Sequence, residues 1–111
     1  MSDLSFEEYQ QSAKKTAPAD SDWLIYYLTM GLVGEAGEIA NKVKKILRDQ
    51  NGELTEPVRE AIIDEIGDVM WYMAMLCSQL NVDMSEVAQM NLAKLADRQK
   101  RGVIRGSGDD R

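Results

Sequence analysis

Glu35 and Glu38 lie three residues apart, as do Glu65 and Asp68, so each pair of carboxylates shares one face if its segment is helical. The stretch from Asp49 to Thr55 reads as a turn, which makes the helices on either side antiparallel neighbours. Each pair is centred about 15 residues from the middle of that turn, and a common rise per residue brings both to the same level. Four carboxylates converging in a partly buried setting repel one another unless hard, oxygen-preferring cations sit among them, Mg²⁺ first and Mn²⁺ as a substitute. Acidic residues on a helix usually form only a solvated face. Here, at about 100° per residue, Glu35 falls among Leu28, Leu32, Ile39 and Ile46, and Glu38 at the edge of that apolar side. Glu65, Asp68 and Tyr72 flank an expected core stripe of Ile62, Ile66, Val69, Met73, Leu76 and Leu80. Carboxylates so placed need compensation, and Lys42 is the one nearby cation, expected also to bind substrate by neutralising phosphate charge.

A second group of candidates follows downstream. Asn91, Lys94 and Arg98 recur at three- and four-residue spacing, Arg101 continues the series, and a metal-held polyphosphate needs cationic donors on the side the metal leaves open. The alternative for these residues is a solvated face suited to the helix C-terminal dipole. Gly31, Gly34 and Gly37 inside one helix should each cost about 1 kcal/mol relative to alanine. Close helix approach or room for metal and phosphate beside the acids would account for them. Tyr72, beside the acids, is placed to contact a bound base.

The elements that must position these groups are helices, with no alternating strand run, and the expected fold is an all-α, four-helix bundle-like domain. A capping box of Ser5 and Glu8 starts a first helix from about Phe6 to Lys15, broken by Pro18. The second helix is expected from about Asp22 to Arg48, and the third from Thr55, with Pro57 in its first turn, to about Leu80. These two form the antiparallel pair that carries the acids. Asp83 and Glu86 suggest a second capping box, opening a fourth helix that runs to about Arg101. Residues 1–101 are therefore expected to form one domain, and the glycine-rich, charged stretch 102–111 a loose tail. The third helix is apolar almost all round between Val69 and Cys77, with Trp71 and Met75 pointing away from the expected core stripe. Self-association across the Trp71 face is the preferred expectation, coverage by the first helix its alternative.

With 111 residues, a net charge of −6 and no histidine, the chain lacks the commonest general base and nitrogen ligand, which disfavours zinc. No basic stripe suggests nucleic-acid binding, no apolar run is long enough to span a membrane, and the single Cys77 fits packing in a reducing, cytoplasmic setting.

Glu35-Ala-Gly-Glu38, 26 residues, then Glu65-Ile-Gly-Asp68, followed by Trp71-Tyr72 and by Asn91-Leu-Ala-Lys94 with Arg98, resembles the signature of the MazG-like all-α nucleoside triphosphate pyrophosphohydrolases. The likeness covers roughly residues 23 to 101, and the Gly-Ser-Gly-Asp tail is similar to that of short, single-domain members. It implies a helical bundle forming a homodimer or homotetramer, which hydrolyses a nucleoside triphosphate to monophosphate and pyrophosphate with Mg²⁺ and so controls nucleotide pools. It also implies Glu35, Glu38, Glu65 and Asp68 as metal ligands. Some relatives carry a further Glu where this chain has Gly34, which leaves open how the attacking water is activated. Competing expectations are a non-catalytic helical interaction module and a hydrolase of another pyrophosphate-containing nucleotide.

Overall fold

The structure is a computed structural model that describes residues 3–18 and 24–111. Four helices make up its secondary structure: α1 (Phe6–Lys14), α2 (Leu24–Asp49), α3 (Glu56–Gln79) and α4 (Met84–Arg101), with no strand among the described residues. The Ser5–Glu8 capping box closes reciprocally at the start of α1. Thr55 is the N-cap of α3 with Pro57 in its first turn, although the Thr55 side chain makes no capping bond. The expected start of α2 near Asp22 lies outside the described residues.

The turn between α2 and α3 is built from Asn51 and Gly52, whose φ angles of 53° and 80° fall in the left-handed region. The Gly52 N–H returns to the Ile46 carbonyl at 3.0 Å and ends α2. With 26 residues, α2 is about 39 Å long. Packed antiparallel along α3, it makes the most extensive helix pair in the molecule, as the turn chemistry implies. α1 packs on α3 and α4, and α4 also packs on α3.

The core is small and lies at the end of the hairpin remote from the turn. Ala13 of α1, Leu24 and Leu28 of α2, Ala74 and Met75 of α3, and Met84 of α4 are its buried residues. The remainder of the hairpin projects beyond it, and the radius of gyration, 17.0 Å, exceeds the roughly 13 Å of a compact domain of this length.

Three sequence expectations are corrected here. The inward face of α3 runs through Ala74 and Met75, whereas Ile66, Met73 and Leu80 of the expected core stripe are exposed. Trp71 packs against the core and donates from Nε1 to Thr16 Oγ1 at 2.7 Å, so α1 covers the face assigned to self-association. A helix apolar on nearly every side carries no mark of which side faces in; the docking of α1 decides it. Second, the α4 capping box does not form, since Asp83 makes no side-chain cap bond. The Met84 N–H donates instead to Oε1 of Gln10 in α1 at 2.7 Å, while Gln10 Nε2 donates to the Val82 carbonyl and to Ser78 Oγ, both at 3.1 Å. One buried amide from a distant helix thus joins the end of α3 to the start of α4. Third, the tail is folded back on α4 rather than loose: its Asp109 meets Arg98, and Arg111 binds carbonyls of Val103, Ile104 and Gly108.

Gln10→Ala would strand the Met84 N–H and the Val82 carbonyl, at a cost of about 2 kcal/mol. The expected result is a lower urea midpoint with an unchanged slope, measured by circular dichroism.

Candidate metal and phosphate site

α2 and α3 bring Glu35, Glu65 and Asp68 together one to two turns beyond the core, with one carboxylate oxygen from each lying within 4.8 Å of the others. Glu35 and Glu65 are half-buried and Asp68 is exposed. Glu38 is exposed and stands outside this trio, yet its charge is felt at Glu35. The sequence reading of two acidic pairs at one level is therefore realised for three of the four carboxylates at close range.

Electrostatics inside the cluster are uneven. Lys42 Nζ donates to Glu65 Oε1 at 3.2 Å across the helix pair. The Glu35 carboxyl is raised above its ordinary value, first by its hydrogen bond to Glu65, then by burial and by the charges of Glu65, Asp68 and Glu38. Glu65 is lowered, by that same hydrogen bond and then by Lys42. The two carboxyls are thus driven in opposite directions, Glu35 toward the neutral form and Glu65 toward the charged one. Glu65 Oε2 is buried with no hydrogen-bond donor facing it. A buried carboxylate oxygen lacking a donor, beside two further carboxylates, suits an oxygen-coordinated divalent cation and would otherwise be a standing cost.

Aromatic residues wall one side of the cluster. Tyr72 packs edge-on to Trp71, ring centroids 5.0 Å apart, and lies 6.5 Å from Tyr27. Burial is the main cause that pushes the Tyr72 hydroxyl up, followed by its bond to Tyr27 and the charges of Glu35 and Asp68. Burial, then Asp68, does the same to Tyr9 of α1. Tyr9 and Tyr27 are neighbours that the sequence reading missed; Tyr27 precedes Gly31 by four residues and could have been placed on its face.

The three glycines of α2 separate in role. A Cβ at Gly31 would overlap the Tyr72 ring, so this glycine lets the two helices close around the tyrosine. Gly34 and Gly37 have nothing within 4 Å of the position a Cβ would take, as does Gly67 between the second pair of acids.

The basic residues of α4 engage a different part of the chain. Arg98 is buried, and its Nη2 donates to the Asp109 carbonyl at 2.9 Å and to Asp109 Oδ1 at 3.3 Å. Lys94 Nζ reaches the same Oδ1 at 3.4 Å. Arg101 pairs with Asp97 at 2.8 Å and donates to the Arg111 carbonyl at 2.6 Å. Asn91 is exposed on the same helix. Asp109 as partner of Lys94 and Arg98 was not legible in the sequence, because no spacing rule links a glycine-rich tail to the helix before it.

Comparison with known proteins follows the same lines. The model of the family described as MazG nucleotide pyrophosphohydrolase domain matches residues 26–103. The chain is 56% identical over 109 residues to the "Gene 37 protein" of Mycobacterium phage L5, spanning 93% of this chain and 96% of that one. No solved structure matches significantly.

Gly31→Ala is expected to destabilise the protein by about 1–3 kcal/mol through forced displacement of Tyr72. Adding Tyr72→Ala should recover part of that loss, so that a double-mutant cycle gives clearly non-additive energies. Additive losses would separate the glycine from the ring.

Proposed function

The chain belongs to the MazG nucleotide pyrophosphohydrolase domain family, and we infer that it hydrolyses a nucleoside triphosphate to the monophosphate and pyrophosphate with the help of Mg²⁺. The observation that carries this reading is the convergence of Glu35, Glu65 and Asp68, within 4.8 Å of one another, together with the buried, donorless Oε2 of Glu65. Those three side chains would hold the cation. Bound there, Mg²⁺, or Mn²⁺ in its place, supplies charge to the phosphate oxygens and acidifies water.

The chain's own residues would do the rest. Glu38, outside the trio and not part of the Lys42–Glu65 ion pair, would orient the attacking water. Lys42 neutralises Glu65 and keeps its carboxylate turned toward the cluster. Lys94, Arg98 and Arg101, with Asn91 alongside, would receive the phosphate chain, and Tyr72 would contact the base. Most of the catalytic effect would then be electrostatic, from charges fixed before substrate arrives.

The site is also expected to need a second copy of the chain. Ile63, Ile66 and Met73 are exposed along the outer side of α3, and Met30 and Val33 along α2, 69% and 67% exposed. Such apolar surface on a hairpin projecting from a small core needs covering, and a homodimer or homotetramer supplies matching surface by symmetry. The faces concerned differ from the Trp71 face singled out by the sequence.

Incubation with a panel of nucleoside triphosphates should give monophosphate and pyrophosphate with Mg²⁺, and no products after chelation. Glu38→Gln should lower kcat by at least about 100-fold while leaving the circular dichroism spectrum intact. Absence of turnover across the whole panel would favour a non-catalytic module.

Light scattering should give the mass of a dimer or larger assembly. Ile66→Asp should shift it toward the monomer and lower thermal stability; an unaltered mass would remove this face from the interface.

A further inference from the structure

The tail from Val103 to Arg111 is a closed loop with its own fastening. Arg111 Nε donates to the Val103 carbonyl at 3.0 Å, Nη1 to the Gly108 carbonyl at 2.6 Å and Nη2 to the Ile104 carbonyl at 3.2 Å. The Gly106 N–H returns to Val103 at 3.1 Å. Gly108, at φ 82°, takes a left-handed conformation that turns the chain back, and the next residue is Asp109. This loop delivers one carboxylate to the Lys94–Arg98 pair.

The two ends of that contact differ. The Arg98 side chain is 6% exposed and so held in place by its surroundings, whereas the Asp109 side chain is 87% exposed. At 3.3 and 3.4 Å the two ion pairs are long. A fixed guanidinium and a 45% exposed Lys94 ammonium thus share one exposed anion, and exposed pairs of this kind are individually weak, although Arg98 Nη2 also donates to the Asp109 carbonyl at 2.9 Å. A guanidinium and an ammonium converging on one oxyanion are also the donor set that a phosphate group takes.

We propose that the tail is a displaceable plug: the Asp109 carboxylate occupies the Lys94–Arg98 cation pair until the phosphate chain of a nucleotide takes its place. This rests on the reading of Lys94 and Arg98 as phosphate-binding cations. The tether keeps the carboxylate at high effective concentration, so apparent nucleotide affinity falls by the fraction of chains in the plugged state. Substrate with several phosphate charges wins the exchange, whereas a singly charged anion does not.

Binding of inorganic tripolyphosphate to the full-length, metal-free protein, measured by calorimetry, tests this without depending on turnover. Asp109→Asn should bind about two- to fivefold tighter than the unmodified protein, the range set by an exposed ion pair. Asp110→Asn, with the same change of charge one residue on, should bind as the unmodified protein does. Saturating tripolyphosphate should also speed trypsin cleavage after Arg105, read by mass spectrometry as loss of residues 106–111. Equal or weaker binding by Asp109→Asn, or equal gains from both variants, would overturn the plug. Lys94→Ala should bind more weakly; if it binds as tightly as the unmodified protein, the phosphate-cation reading fails and the plug falls with it. If Lys94→Ala weakens binding and Asp109→Asn does not strengthen it, only the plug is lost.

Discussion

Repulsion among Glu35, Glu65 and Asp68 is the interaction that the surrounding structure has to offset, because the three carboxylates sit on two long helices that must stay in contact along the same stretch. Lys42 relieves it at Glu65, and the neighbouring charges raise the Glu35 carboxyl above its ordinary value. Packing holds the helices together near the acids: Gly31 removes the side chain that would block Tyr72, and Tyr72 packs edge-on against Trp71. The core at one end of the hairpin then fixes the level at which the two acidic segments meet.

That arrangement leaves the hairpin with an imbalance of apolar surface. α1 and α4 cover the side of α3 that contains Ala74 and Met75, and among the described residues little covers the side that contains Ile63, Ile66 and Met73. A helix that is apolar on nearly every side tends to be buried on nearly every side. On the reading that a second copy supplies the missing partner, self-association and formation of the acidic site are one requirement, since both depend on a rigid α2–α3 pair.

α4 and the tail add charge of the opposite sign. Gln10 ties the start of α4 to α1 and the end of α3, which sets the direction in which Lys94 and Arg98 are carried. Asp109 satisfies both cations within the chain, so the positive and negative groups proposed to act on one substrate have separate local partners. Groups of opposite charge are thereby held apart, Glu65 by Lys42 and the α4 cations by Asp109.

Spacing and turn chemistry made much of this legible in the sequence. The acidic pairs, the turn at Asn51 and Gly52, the Ser5–Glu8 box and the ends of α1, α3 and α4 all follow from local rules, because a helix repeats every 3.6 residues and a left-handed turn favours asparagine and glycine. Tertiary structure alone decided which face of α3 points inward, that Gln10 rather than Asp83 caps α4, and that Asp109 reaches Lys94 and Arg98. Each of these depends on groups far apart in sequence or on neighbours competing for the same apolar helix. Periodicity fixes where side chains lie around a helix, but the surface available to receive them is set only when the helices pack.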